Sequence, residues 1–167
     1  MLVLGIDPGL ATTGFGLIED DSQGRFTLVS YGIIETSANT DIPNRLVSLY
    51  DQVSNIILLH KPGQVAVEKL FFQKNVKTAM MVGQARGVVL LALAQHELLP
   101  AEYTPNEIKQ AVCGYGSAGK QQVQLMVQAL LKMTDMPKPD DAADALAVAI
   151  CHLSYAHYND AINQATG

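Results

Sequence analysis

Leu2-Val3-Leu4-Gly5-Ile6-Asp7-Pro8-Gly9 is a short apolar run that ends in a carboxylate and then a turn. It reads as a buried strand that delivers Asp7 to its end. Working outward, Gly14 to Glu19 and Thr27 to Thr36 are two more strand-like runs, divided by the polar cluster Asp20-Asp21-Ser22-Gln23-Gly24. The first third therefore reads as a three-stranded antiparallel meander. The period then changes. From Pro43 to His60, Leu46, Leu49, Val53, Ile56 and Ile57 recur at helical spacing, and Lys61-Pro62-Gly63 ends the pattern. Gln64 to Leu70 reads as a strand carrying Glu68, and a strand after a helix in this order predicts a parallel crossover. A long helix follows from about Asn75 to Glu97, with Gly83 and Gly87 placed for close packing near Met80 and Leu90. Ala101 to Thr104 reads as a fifth strand, and Pro105 to Cys113, Lys120 to Lys132 and Asp140 to about Tyr155 as helices. This order predicts one α/β domain over residues 1–155, a mixed five-stranded sheet (three antiparallel strands, then parallel ones) flanked by helices. Residues 156–167 read as a flexible tail.

Composition bounds what such a chain can be. It has 167 residues, 49% of them hydrophobic and 16% charged, which suits a single core and excludes global disorder. The longest unbroken aliphatic stretch, Val88 to Ala94, is far short of the roughly 20 residues of a membrane span. The start lacks the basic segment and long apolar core of a signal peptide, so a cytoplasmic protein with no membrane partner is expected. Cys113 and Cys151 lie outside any C-x-x-C spacing and read as buried thiols. The formal net charge of −5 speaks against a polyanionic partner until its distribution is considered. Between Lys69 and Lys120, six basic residues face three acidic ones, a net of +3 against −8 for the remainder. One surface is thus suited to phosphates and another to metal cations.

The chemical signal lies in the acids at element ends. Asp7 closes the first strand, Glu68 sits on the fourth, and Asp141 with Asp144 opens the last helix, three residues apart and on one face. Asp140 also shares a face with Asp144, so spacing alone does not choose between Asp140 and Asp141, and either suits a helix cap. If four acids meet, each like pair at ~6 Å repels by roughly 3 kcal/mol at an effective dielectric near 20. Several such pairs rival a domain's stability of about 5 to 15 kcal/mol, so the cluster needs a cation. Oxygen-only ligands suit Mg²⁺ or Mn²⁺, and two such ions support phosphodiester hydrolysis.

Gly5-Ile6-Asp7-Pro8-Gly9 with Thr13-Gly14, Val67-Glu68, Gly83-Gln84-Ala85-Arg86-Gly87 and Asp141-Ala142-Ala143-Asp144-Ala145-Leu146-Ala147 occur in this order. Together they closely resemble the RuvC family of Holliday-junction resolvases, from the first strand to about His152. The resemblance implies a ribonuclease H-like fold, a homodimer and two Mg²⁺ per active site, with Mn²⁺ as substitute. It further implies an endodeoxyribonuclease of homologous recombination and DNA repair, making paired symmetric nicks in four-way junction DNA alongside RuvA and RuvB. By motif matching it assigns Asp7, Glu68, Asp141 and Asp144 as catalytic metal ligands, and the mechanism expected from them has Asp7 bridging the two ions. Asp140 is left as a helix cap. A water would attack in line, leaving a 5′-phosphate and a 3′-hydroxyl. Phe71 is implied to stack on opened bases and Lys109 and Lys120 to meet DNA. Leu10-Ala11 and the second aromatic, Phe72, depart from the family pattern.

The remaining features fit DNA. Phe71-Phe72-Gln73-Lys74-Asn75-Val76-Lys77 interleaves aromatics with basic and polar residues, and Lys74, Lys77 and Arg86 are further candidate phosphate contacts. Gly114-Tyr115-Gly116-Ser117-Ala118-Gly119-Lys120 imitates a phosphate loop, but Gln121 stands where Ser or Thr is required and a helix precedes it. The four histidines show no ligand spacing. Rival readings are an RNA-processing nuclease like YqgF, an ATPase of the actin and sugar-kinase fold, for which the chain is too short, and a junction-binding protein without cleavage.

Overall fold

The computed structural model describes residues 1–21, 24–69 and 76–166. Strands β1 (Leu2–Asp7), β2 (Thr12–Asp20) and β3 (Phe26–Glu35) form the antiparallel meander. Helix α1 (Ile42–His60) crosses over to β4 (Gln64–Glu68), which pairs parallel with β1, and α2 (Val76–Gln95) leads to β5 (Ala101–Tyr103), parallel to β4. Helices α3 (Pro105–Cys113), α4 (Lys120–Leu130) and α5 (Asp140–Thr166) complete the chain. The sheet order is β3-β2-β1-β4-β5. β1 is central, which explains its near-continuous apolar run: both faces are covered.

Each face has its own core. Leu4, Ile6, Leu17, Val65 and Val67 pack under α1 and α2, with Leu49, Val53, Val89 and Leu93. Val3, Ile18 and Ala66 point the other way, under α3, α4 and α5. Because side chains alternate along a strand, Asp7 and Glu68 fall on this second face. Here β1 and β2 present glycines. A methyl group on Gly5 would lie 2.2 Å from the Ala145 carbonyl, and one on Gly14 would lie 1.9 Å from that of Asp141. On the helix side Ala142, Ala143, Ala145 and Ala149 are fully buried. Small residues on both surfaces bring the backbone of α5 directly onto the strands, with its first turn beside Asp7, the register partner of Gly14.

The turn after Asp7 is fixed from within. Buried Thr13 donates its hydroxyl to the Gly9 carbonyl at 2.6 Å and accepts from the Gly9 amide at 3.2 Å. Leu10, one of the departures from the family pattern, is a core residue, and its carbonyl accepts from Thr36 Oγ1, which in turn accepts from buried Arg45. The departure is therefore a packing choice.

Several boundaries differ from expectation. The last helix continues to Thr166 where a tail from 156 was expected. No glycine or proline interrupts residues 156–166, and His157 anchors the extension, its Nε2 2.6 Å from Asp20 Oδ2 with Phe26 tilted against the ring. β4 ends at Glu68, two residues early, and α4 ends at Leu130. Gly87, expected in a tight packing, meets nothing within 4 Å of where a side chain would begin. The α2 segment Thr78–Gln95 also reaches the length and apolarity of a membrane span, which unbroken aliphatic runs did not reveal. One face of it, Ala85, Val89, Ala92 and Leu93, is buried in the core, while Val76, Met80 and Leu91 are exposed.

Candidate active site

Register brings the first two acids together. Ile6 pairs with Val67, so Asp7 and Glu68 sit one position on, side by side on neighbouring parallel strands. The first turn of α5 supplies the other two, held close by the Gly14 contact. Burial and then the charges of Glu68, Asp144 and Asp141 push the Asp7 carboxyl well above its ordinary value. Burial also raises Glu68, against the pull of a hydrogen bond with Asp7 and of Lys109 and Lys120. Burial raises Asp144, opposed by Lys120.

Among the described residues, Lys120 is the cation of this site that makes ion pairs. Its Nζ lies 3.2 Å from Asp144 Oδ2 and 3.3 Å from Asp140 Oδ2. Burial would lower the ammonium's pKa, but the two aspartates outweigh it and the net shift is upward. Asp140 is the first residue of α5 rather than its cap: it accepts from Gln124 Nε2 at 2.8 Å and turns toward α4. Asp140 is thus tied to α4, while Asp141 and Asp144 are among the charges that raise Asp7. No three acidic, histidine or cysteine side chains among the described residues are gathered tightly enough to hold an ion as they stand. The Lys120 ammonium supplies positive charge beside Asp144 instead.

Of the expected DNA contacts, two join the acids. Lys109 on α3 and Lys120 line an open cavity of about 220 Å³ with Glu68 and Asp144. The loop resembling a phosphate loop serves to begin α4, and so places Lys120. Arg86 is elsewhere: its Nη2 lies 2.5 Å from Glu102 Oε1, between α2 and β5. Glu102 pairs in register with Val67, which points under α1 and α2, so this ion pair lies on the face opposite the acids. Phe71, Phe72 and Lys74 lie outside the described residues, as does the side chain of Lys77. Sequence reading missed Gln124 and the pairing role of Asp140. The signal was present, since Lys120 with Gln124 and Asp140 with Asp144 are i, i+4 pairs on adjoining helices.

Comparison with known proteins follows the same geometry. The family profile described as crossover junction endodeoxyribonuclease RuvC matches residues 3–152. A crossover junction endodeoxyribonuclease RuvC of Desulfitobacterium hafniense is 54% identical over 167 residues, covering 100% of this chain and 99% of that one. The Thermus thermophilus RuvC structure superposes with a TM-score of 0.88 at 34% identity, covering 95% of this chain and 97% of that one. T. thermophilus RuvC in complex with Holliday junction substrate gives 0.86 at 32% identity, with 95% and 96% covered.

Proposed function

The chain belongs to the crossover junction endodeoxyribonuclease RuvC family, the Holliday-junction resolvases, and on that premise we propose that Asp7, Glu68, Asp141 and Asp144 hold Mg²⁺ for the cutting of four-way junction DNA. The observation that carries this reading is that carboxylates from β4 and α5 surround Asp7 on β1, with the Lys120 ammonium 3.2 Å from Asp144 among them. The donor set fits the metal: all the candidate ligand atoms are hard oxygens, and the Lys120 ammonium on Asp144 marks a place where positive charge is favoured. Bound there, Mg²⁺ would supply Lewis-acid activation of water and stabilisation of the leaving oxygen.

The chain's own residues do the rest. The amide end of α5 adds its positive dipole to the acids' side of the site. Lys109 and Lys120 would neutralise the phosphate backbone entering the cavity. Phe71, Lys74 and Lys77 follow Glu68 directly in sequence, and we assign them base stacking and phosphate contact on that ground. Arg86 is better read as the tie between α2 and β5.

Cutting opposed strands needs two sites, and the chain carries one. A second copy would supply the other. The exposed Val76, Met80, Gln84, Gly87 and Leu91 recur every three or four residues as a stripe along α2, a surface suited to a two-fold partner.

The deciding experiment is cleavage of a synthetic four-way DNA junction with Mg²⁺, beside a linear duplex and an RNA control. Paired symmetric nicks with 5′-phosphate ends on the junction alone, lost in Asp7→Asn, are expected. Junction binding without nicks, or preferential RNA cutting, would overturn the reading.

A further inference from the structure

We propose that Asp140, backed by Gln124, is a positioning residue that parks the Lys120 ammonium on Asp144 while no metal is bound, and that metal entry displaces this ammonium toward the rim of the site. The inference rests on the metal-binding role proposed for the acids.

The geometry divides Asp140 between two partners. Gln124 Nε2 holds its Oδ1 at 2.8 Å, leaving Oδ2 turned to Lys120 at 3.3 Å. Gln124 is itself buried at 8% exposure, so a desolvated amide is spent on orienting an exposed carboxylate. That cost is understandable if the carboxylate's direction matters. Asp140 holds the same ammonium that Asp144 holds. The two acceptors differ in depth: the side chain of Asp144 is 29% exposed and that of Asp140 is 62%. Lys120 therefore bridges the interior of the cluster and its rim.

An ammonium 3.2 Å from Asp144 Oδ2 and a divalent cation on the same carboxylate repel each other. When the cation wins, Lys120 keeps Asp140 as its anchor and swings outward on a flexible four-carbon stem. Metal loading would then expose a cation at the mouth of the cavity, where a DNA phosphate arrives. Lys109 lines the same cavity without an ion pair among the described residues, and so provides a matched control.

The test uses the full chain without DNA. Lysine ammonium signals are followed by ¹⁵N NMR as Mg²⁺ is added, with Lys120→Met assigning the signal, while calorimetry measures binding. The Lys120 signal should be protected in the metal-free chain and change in proportion to Mg²⁺ bound. Lys120→Met should bind Mg²⁺ about tenfold more tightly, and Lys109→Met, with the same change in charge, less than about threefold. Gln124→Met should tighten binding about twofold to threefold with no change in charge, an effect a merely structural role would not give. Metal binding with an unmoved Lys120 signal, or equal effects of the two lysine variants, would overturn the parking role alone. No Mg²⁺ binding by wild type and Lys120→Met alike would overturn the metal reading and this inference with it.

Discussion

The two faces of the sheet solve opposite problems. Under α1 and α2, large aliphatic side chains such as Leu4, Ile6, Leu17 and Val67 hold the helices off the strands, and the Arg86–Glu102 ion pair is spent within the chain. Under α5, glycine and alanine remove that padding, and the helix backbone rests on the strands. Aliphatic packing tolerates rearrangement, because side chains can repack around a change of shape. Backbone-on-backbone contact has no such slack, and so it can fix where a carboxylate begins. The acids lie on the face that cannot adjust, which is where a site needing sub-ångström placement gains most.

The largest expected effect breaks that contact. A methyl group at Gly14 would sit 1.9 Å from the Asp141 carbonyl, with backbone rather than a flexible side-chain end in its way. Gly14→Ala should therefore destabilise the chain by about 3 kcal/mol or more, or push the first turn of α5 away from Asp7. Urea unfolding reads the first outcome. Loss of junction cleavage in a still-folded variant reads the second. A folded, fully active Gly14→Ala protein would show that the close face has slack after all.

Next in size is the open side of α2. Leu91→Glu places a charge at the C-terminal end of the exposed stripe, at a residue 52% exposed in the single chain. If a second copy covers it, the dimer constant should weaken by about 100-fold, a cost of roughly 3 kcal/mol for an unpaired buried charge. Sedimentation would report the monomer, and junction cutting should fall from paired to single nicks. Unchanged sedimentation would remove α2 from the interface.

A third test sharpens the contrast through charge. Without metal, Asp7, Glu68 and Asp144 are all raised above their ordinary values, so the folded chain holds protons that the unfolded chain releases. Their stabilising contribution is present at low pH and is lost as pH rises from about 4 through the raised values. Asp7→Asn removes the most strongly raised of the three. In the presence of a chelator, its melting temperature should exceed that of wild type by about 3 °C at neutral pH, and the gap should close toward pH 4. A gap that widens on acidification would reverse the sign and refute the crowding of these acids.

Much of this was legible in the sequence because the chemistry sits at element ends. Strand periodicity placed Asp7 and Glu68 without any tertiary knowledge, and the i, i+3 spacing put Asp141 and Asp144 on one face. What spacing could not give was partnership. Arg86 looks like any surface cation along the chain, and only the fold reveals Glu102 beside it. Asp140 and Asp141 were equivalent by position until the direction of α4 was known, since Gln124 and Lys120 draw the former outward. The extension of the last helix beyond Tyr155 was missed for a related reason: residues 156–166 lack a strong apolar period, and their anchor, Asp20, lies on another element.

The smallest effect is the most informative about why Gly87 is glycine. Within one chain its position is open space, with nothing within 4 Å of a prospective side chain and no positive φ to excuse it. By helix propensity alone, Gly87→Ala should stabilise a lone chain by up to about 1 kcal/mol. The glycine therefore carries a cost that intrachain packing does not explain. A second helix laid along the stripe through Met80, Gly87 and Leu91 would explain it, because a missing side chain lets two backbones approach, as α5 approaches β1 and β2 within the chain. Gly87→Ala should then raise the melting temperature of a Leu91→Glu monomer by about 2 to 3 °C, yet weaken the dimer in an otherwise natural chain. If the substitution stabilises the natural chain without weakening its dimer, the two glycine contacts are not alike, and close backbone approach belongs to the α5 face alone.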